Sequence, residues 1–296
     1  MPTSVGFLGM GIMGSAMAAN LNKSELFGPI AVWNRTSSKC DELKSQGAKV
    51  VATPAEVVRQ CDITFGCLSD PTAAADVVLS EGGVLEGISA NKGYVDMSTV
   101  DEQTSIKIGK AIAEKGGRFV EAPVSGSKKP AIDGTLIILA AGDPTLYKEA
   151  LPCFDIMGKK SFLLSDDVGA GARMKLVVNM IMGSMLGSLC EGMALADKGG
   201  LSQNDVLEVL SLGALNNPAF NIKGPTIIKR EYPTNFPLKH QEKDVRLAIA
   251  LGNQLGQSLP IAEATNELYK QAMEKGHGDD DFAAVYEAVA PPKKTE

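Results

Sequence analysis

The sequence has few of the residues that bind metal ions or form disulfide bonds. Only two histidines occur, His240 and His277, so a centre built from several histidines is excluded. The five cysteines are scattered and form no C-x-x-C pair. They are expected to be reduced and mostly buried thiols, as in a cytosol-like compartment, rather than a disulfide framework or a zinc site.

The chain also lacks an excess of positive charge and a long apolar run. It carries 29 Lys and Arg against 35 Asp and Glu, a formal net charge of −6, whereas a surface that tracks nucleic-acid phosphates is usually basic. It contains no run of about 18 consecutive apolar residues. We therefore expect no nucleic-acid partner, no membrane and a cytoplasmic location; a plastid or mitochondrial location stays open if a transit peptide has been removed.

The 296 residues are enough for two domains, and the pattern of the sequence changes near the middle. Through the first half, short β-like runs alternate with helical segments, as in a parallel sheet covered by helices. The candidate strands begin at Val5, Ile30, Ala48, Ile63, Gly93, Arg118 and Thr135. This pattern predicts a doubly wound α/β domain over residues 1–167.

From Gly169 onward, Met, Leu and Ala recur at helical spacing. The stretch ARMKLVVNMIMGSMLGSLCEGMALADKGG is a nearly continuous helical pattern that ends at two glycines, which are typical C-cap residues. Its apolar residues cover most of the circumference, so we expect a central helix buried between domains or against another subunit. Further helices are predicted over residues 202–212, 239–255 and 260–274. Residues 168–296 should therefore form an all-α domain.

A glycine-rich turn follows the first strand, in the run VGFLGMGIMGSAMAANL. Gly9, Gly11 and Gly14 have the G-x-G-x-x-G spacing and open a helix. In such a turn the first glycine permits the tight bend, the second lets a pyrophosphate approach the backbone, and the third lets helix and strand pack closely. We predict a dinucleotide site here rather than a merely structural turn. Met10, Ile12 and Met13, which lie between these glycines, are predicted to bind the cofactor as well.

The end of the second strand carries NRT, where many NAD-binding proteins have an acidic residue that holds the ribose hydroxyls. Asn34 is neutral, Arg35 offers a planar fork of donors that suits a phosphate, and Thr36 adds a hydroxyl. This stretch therefore predicts NADP(H) as the cofactor in preference to NAD(H). The alternative is that Arg35 is only a solvated surface charge.

Two further loops are expected at the same edge of the sheet. CLSDP, with Leu68 and Ser69, follows the fourth strand, and DMSTV follows the fifth. In an open α/β sheet, the loops at the carboxyl ends of the strands border the cofactor crevice. We predict that both loops line the cofactor groove, although each alone would also fit an ordinary turn.

A lysine is the candidate proton donor for reduction of a carbonyl, because the sequence offers no histidine–aspartate arrangement. Lys175 lies in an otherwise apolar helix, with Asn179 one turn later and Gly183 another turn on. One helix face would then present an ammonium group, an amide and an open space. Gly169 and Gly171 precede the lysine and would let the backbone approach a ligand. The alternative is a salt-bridged lysine or one whose stem extends to solvent.

Two other stretches are candidates for the substrate site. EAPVSGSKKPA, at the end of the sixth strand, supplies hydroxyls and exposed amides that suit a small carboxylate. The alternative is a simple Ser/Gly turn between strands. The residues concerned are Ser125, Gly126 and Ser127. FPLKHQEKDVRLA opens a helix with a dense polar cluster, which on its own is equally typical of a solvated helix face. The residues of that cluster are Phe236, Lys239, His240, Lys243 and Asp244.

Six separated motifs resemble, in order, those of the β-hydroxyacid dehydrogenases: GFLGMGIMG, NRT, DMSTV, PVSGSKKPA, GAGARMKLVVNMIMGS and LKHQEKDVRLA. The resemblance runs from Val5 to about Val289 and is greatest for the plant-type, NADPH-dependent glyoxylate/succinic semialdehyde reductase branch. It implies a Rossmann domain followed by an all-α domain. It also implies that the long helix joins the domains and contributes to a homodimer or homotetramer interface.

The resemblance implies roles for individual residues as well. It assigns catalysis to Lys175 with support from Asn179, and binding of the substrate carboxylate to Ser125 and Gly126. Many family members have a second glycine where this chain has Ser127, a departure that resembles the glyoxylate reductase branch.

Among the remaining motifs, the resemblance assigns cofactor binding to Thr99 and Lys243. Phe236 and Asp244 correspond to positions that line the substrate site.

The implied reaction is NADPH-dependent reduction of glyoxylate to glycolate and of succinic semialdehyde to 4-hydroxybutyrate, with Lys175 as general acid and no metal ion. Within the same class, a 3-hydroxyisobutyrate or tartronate semialdehyde reductase and a decarboxylating phosphogluconate-type enzyme are alternatives. A non-catalytic NADP(H)-binding Rossmann scaffold is the alternative from another class.

Overall fold

The computed structural model describes residues 3–291, and the chain divides into two compact units, residues 1–176 (unit 1) and 177–296 (unit 2). The sequence pattern places the domain boundary between residues 167 and 168. The division in the structure falls within a helix that begins just after that point. Residues 292–296, the end of the predicted all-α domain, lie outside the described part.

Unit 1 is built on one mixed sheet. Its strands are β1 (Val5–Leu8), β2 (Ala31–Trp33), β3 (Lys49–Val50), β4 (Ile63–Gly66), β5 (Gly93–Asp96), β6 (Arg118–Glu121), β7 (Val124–Ser125), β8 (Leu136–Gly142) and β9 (Gly158–Ser165). Their order is β3-β2-β1-β4-β5-β6-β8-β7, with β9 paired to β8. The strands β1 to β6 run parallel in the Rossmann order. All seven predicted strands are confirmed, and β7 and β9 are additional.

Helices cover both faces of this sheet, as the doubly wound prediction requires. They are α1 (Ile12–Lys23), α2 (Asp41–Ser45), α3 (Pro54–Gln60), α4 (Pro71–Leu79), α5 (Val84–Gly87), α6 (Glu102–Glu114), α7 (Lys128–Ile132) and α8 (Pro144–Met157). On one face, Met17 of α1 and Phe154 of α8 lie in the larger core cluster. On the other, Val57, Val78 and Ile108 of α3, α4 and α6 share a second cluster. The sheet is therefore buried on both sides.

Side-chain caps explain where four of these helices begin. Thr53, Asp70, Asp101 and Asp143 each accept a hydrogen bond from a backbone N–H in the first turn of α3, α4, α6 and α8. A proline follows in α3, α4 and α8, at a position where its missing N–H costs nothing. At these four helix N-termini, a side chain of the protein itself therefore accepts a hydrogen bond from the first-turn amides.

The long helix α9 (Ala170–Lys198) starts in unit 1 and continues into unit 2. It ends before Gly200, whose φ of +74° fits the predicted glycine C-cap. Among the described residues, it is the one helix long and apolar enough to span a membrane by length and composition alone. Leu186 and Met193 of its second half nevertheless lie in the core of unit 2, as in a central core helix. The expectation of no membrane partner stays a prediction.

Unit 2 is helical, as predicted. After α9 come α10 (Gln203–Leu212), α11 (Pro218–Lys229), α12 (Leu238–Leu255), α13 (Pro260–Glu274) and α14 (Tyr286–Val289). A buried ion pair joins Lys223 to Asp281, with the ammonium 2.7 and 2.8 Å from the two carboxylate oxygens. Asp281 also accepts the backbone N–H groups of Asn235 and Phe236. The loop before α12 is therefore fixed to the rest of the unit.

The five cysteines are free thiols, and all except Cys67 are buried. Burial raises the pKa of Cys61 to about 11 and that of Cys153 to about 12, so these thiols stay protonated at neutral pH. The expectation of mostly buried thiols is confirmed.

Candidate active site

The three glycines of the fingerprint, two in the turn after β1 and one in the first turn of α1, have different surroundings. Gly9 has a φ of +95°, and a Cβ there would overlap the Cys67 carbonyl oxygen. A Cβ on Gly14 would overlap the Gly9 carbonyl oxygen, so only glycine lets α1 approach the turn this closely. A Cβ on Gly11 would meet no atom within 4 Å. The space next to Gly11 is therefore open to a ligand, as the fingerprint predicts.

The N-terminus of α1 has no side-chain cap, in contrast to α3, α4, α6 and α8. Its N-cap residue is Gly11, which has no side chain to satisfy the amides of the first turn. Uncapped amides and the positive end of the helix dipole together favour an anion. These amides and the space beside Gly11 fit the pyrophosphate of a dinucleotide cofactor.

The side chain of Asn34 joins the glycine-rich turn to the loop after β2. Its Oδ1 accepts the N–H of Met10 at 2.9 Å, and its Nδ2 donates to the carbonyl oxygen of Thr36 at 2.8 Å. A carboxylate could make the first bond but not the second, because it has no proton to donate. The neutral amide of Asn34 therefore makes both bonds, of which a carboxylate could make only one. Arg35 and Thr36 stand exposed beside it.

The loops after β4 and β5 are bound to each other. The hydroxyl of Ser98 accepts the N–H of Leu68 at 2.9 Å, and Asp96 Oδ1 accepts the N–H of Ser98 at 2.9 Å. Burial, and secondarily the charge of Glu121, raises the pKa of Asp96 to about 6 against the opposing Ser98 hydrogen bonds. Asp96 therefore anchors the loop that carries the half-buried Thr99.

Ser125 is held by a short strand pairing. It ends β7, where it lies opposite Ile137 of β8 in an antiparallel ladder. Gly126 follows with a φ of +131°, and a Cβ there would lie 2.7 Å from Leu136 Cδ2. Ser125 is half-buried, Gly126 is exposed and Ser127 precedes α7. A serine hydroxyl and an exposed amide thus stand side by side, which suits a small carboxylate.

Lys175 lies in the second turn of α9 and is 6% exposed. A Cβ on Gly171 would lie 2.5 Å from the Leu139 carbonyl oxygen, and one on Gly169 would lie 2.8 Å from Glu102 Cγ. Neighbouring groups of the chain therefore occupy the positions beside both glycines. This corrects the interpretation that Gly169 and Gly171 leave room for a ligand.

In unit 2, a polar cluster joins α9 to α12. Asn179 Nδ2 donates to Asp244 Oδ2 at 2.6 Å, and Gln241 Nε2 donates to the Asn179 carbonyl oxygen at 2.9 Å. The ammonium of Lys243 is 2.9 Å from Asp244 Oδ1. All four side chains are buried. Because these side chains are buried and joined by hydrogen bonds and an ion pair, the cluster is not a solvated helix face.

The open space expected at Gly183 is absent, because a Cβ there would overlap the amide of Gln241. Lys239 does not belong to the buried cluster; it is half-exposed and lies 2.5 Å from Asp279. The ring of Phe236 stacks on His240 with centroids 6.4 Å apart. The sequence does not single out Gln241, because its neighbours along the chain are polar and give no sign that this side chain is buried.

Two sets of predicted site residues lie together in the structure. In unit 1, the glycine-rich turn and the loops after β2, β4 and β5 lie at the carboxyl ends of neighbouring parallel strands. In unit 2, Asn179, Lys243 and Asp244 lie together. Among residues 3–291, no three His, Cys, Asp or Glu side chains are arranged to hold a metal ion.

Comparison with known families gives two matches that together span nearly the whole chain. Residues 4–165 match the NAD-binding domain of 6-phosphogluconate dehydrogenase. Residues 169–289 match a second family, described as NAD-binding of NADP-dependent 3-hydroxyisobutyrate dehydrogenase.

Individual relatives agree with these matches. Glyoxylate/succinic semialdehyde reductase 1 of Arabidopsis thaliana is 59% identical over 285 residues, which are 96% of this chain and 98% of the relative. The chloroplastic reductase 2 of the same plant is 56% identical over 99% of this chain and 81% of its own length. A 3-hydroxyisobutyrate dehydrogenase from Salmonella typhimurium, 22% identical, shares the fold with a TM-score of 0.86 over 96% of this chain and 99% of its own.

Proposed function

The chain belongs to the β-hydroxyacid dehydrogenases and is an NADP-dependent oxidoreductase, and we propose that it reduces glyoxylate to glycolate and succinic semialdehyde to 4-hydroxybutyrate. The observation that carries the substrate proposal is the 59% identity to a reductase named for these two substrates, over nearly the full length of both proteins. Ser127, which stands where many family members have a glycine, supports the same glyoxylate reductase branch.

The selection of NADP(H) is proposed to rest on Arg35 and Thr36. Both are exposed directly after β2, and no acidic residue stands there to repel a 2′-phosphate. The guanidinium would bind the phosphate through two parallel hydrogen bonds. Asn34 contributes indirectly, because its amide holds Met10 and Thr36 in place.

The chemistry is divided among few groups. When bound, the reduced nicotinamide supplies the hydride. The Ser125 hydroxyl and the Gly126 amide bind the carboxylate of the substrate, and the Lys175 ammonium polarises the aldehyde oxygen and protonates it as negative charge develops. Asn179 supports the lysine from the next helix turn. Phe236 and Asp244 are proposed to contact the substrate, and Lys243 the cofactor, in line with the family motif.

A homodimer or homotetramer is proposed as well. Val177, Ile181 and Met185 recur every four residues along one face of α9, yet they are 45, 50 and 37% exposed. A contiguous apolar face of this kind is typical of a protein–protein interface, and a second copy of the chain would bury it. Light scattering of the parent and of Ile181→Glu should show an oligomer and a smaller species, respectively.

The substrate proposal is tested by NADPH oxidation with glyoxylate, succinic semialdehyde, methylmalonate semialdehyde and tartronate semialdehyde. We expect the highest kcat/KM for one of the first two. Preference for methylmalonate or tartronate semialdehyde would favour the sister reductases. Tight NADPH binding without turnover of any aldehyde acid would indicate the non-catalytic scaffold.

A further inference from the structure

Glu121 is a buried carboxylate that the proposed reaction does not use. It is the last residue of β6 and is 1% exposed. Four residues later comes Ser125, so the strand that ends at Glu121 leads directly into the proposed carboxylate site. A buried glutamate is costly to desolvate, which raises the question of what it binds.

The carboxylate of Glu121 binds the beginning of α9. Its Oε1 accepts the backbone N–H groups of Gly169 and Gly171, each at 2.7 Å. Burial raises the pKa of the Glu121 carboxyl, and the backbone amides at the start of α9 oppose that shift. The Glu121 side chain therefore caps the N-terminus of α9, through amides that lie 48 and 50 residues later in the chain.

The backbone of α9 is shaped for this contact. Gly169 has a φ of +114°, which other residues rarely adopt. A Cβ on Gly171 would lie 3.1 Å from Glu121 Oε1 as well as 2.5 Å from the Leu139 carbonyl oxygen. Gly171 thus leaves room for the carboxylate, and Gly169 supplies the backbone conformation that aims its N–H at the same oxygen.

Lys175 lies one helix turn beyond Gly171. The cap therefore links the helix that carries the proposed acid to the strand that leads to the proposed carboxylate site, all within unit 1. We propose that Glu121 is a positioning residue of the reaction, which fixes the ammonium of Lys175 relative to Ser125. This inference rests on the proposed function. Displacement of a catalytic group by about 1 Å can cost about 100-fold in rate.

The test compares three substitutions of Glu121 in the full-length protein. Glu121→Met keeps the length but removes the acceptor, Glu121→Gln keeps one acceptor oxygen, and Glu121→Asp withdraws the acceptor by one methylene. The matched control is Glu102→Gln. Glu102 contacts the same turn of α9, through the Arg173 side chain rather than through backbone amides.

We expect kcat to fall by about 100-fold in Glu121→Met, by about 10-fold in Glu121→Asp and by less than about 5-fold in Glu121→Gln. Glu102→Gln should stay within about 2-fold of the parent, because Glu102 contacts α9 only through the partly exposed Arg173 side chain and, among the described residues, binds no backbone amide of the helix. The Kd for NADPH should change little in all four. Hydrogen–deuterium exchange should speed up over residues 169–176 in Glu121→Met, and much less in Glu121→Gln.

A solely structural role would lower the Tm but leave kcat below the Tm unchanged. Faster exchange over residues 169–176 with kcat within about 3-fold of the parent would therefore overturn the proposal, as would unchanged exchange. If Glu121→Met does not fold, Glu121→Asp and Glu121→Gln give the same contrast on a smaller scale. Failure of the parent to reduce any aldehyde acid would refute the proposed function, whereas the exchange data would still test the cap.

Discussion

The N-termini of α1 and α9 both present backbone N–H groups that favour an anion, but the first is left open and the second is capped by a side chain. Both helices begin with a glycine-containing turn beside the sheet of unit 1. At α1 the position next to Gly11 is open and no side chain caps the helix. At α9 the glycines are closed in, and the carboxylate of Glu121 binds the first amides. An open helix N-terminus indicates a ligand site, and a closed one indicates an internal support.

The largest effect is expected at the helix with the closed N-terminus, since it carries the proposed acid. Lys175→Met keeps an apolar stem in a buried position but removes the proton donor. We expect kcat to fall by about three orders of magnitude or more, at the upper part of the range for general acid–base catalysis. Steady-state NADPH oxidation, with circular dichroism to confirm folding, measures this.

Lys198→Ala is the matched control, because this lysine is exposed at the other end of the same helix. Its kcat should equal that of the parent. Retention of half the parent activity by Lys175→Met would remove Lys175 from the mechanism.

A smaller effect is expected beside the open N-terminus of α1. Arg35→Ala should raise the KM for NADPH by about 10- to 100-fold, because hydrogen bonds to a charged group contribute about 1.5–3 kcal/mol. The KM for NADH should change little. Arg59→Ala, an exposed arginine paired with Glu86, serves as the control. Equal effects of Arg35→Ala on both cofactors would mean that Arg35 does not read the 2′-phosphate.

Local patterns in the sequence predict the open N-terminus of α1. The spacing of Gly9, Gly11 and Gly14 after an apolar strand is a short-range signal, and so is the neutral Asn34. The position of Lys175 in the apolar helix α9 can be read from the sequence in the same way. These features could be predicted because each depends on residues within about one strand and one turn of the motif.

The capped N-terminus of α9 could not be predicted in the same way. Glu121 is far in sequence from Gly169, so no spacing links them, and the glycines alone suggested room for a ligand. Gln241 fills the space at Gly183 by a similarly distant contact.

The contrast between the two N-termini is tested most directly by adding the same methyl group to each, in Gly11→Ala and Gly171→Ala, and measuring the Kd for NADPH and the Tm of both. Gly11→Ala should weaken NADPH binding by about 10-fold or more, through loss of amide contacts to the pyrophosphate, with an unchanged Tm. Gly171→Ala should lower the Tm by several degrees, as overpacking typically costs about 1–3 kcal/mol, with NADPH affinity nearly intact. The same response from both variants would contradict the account.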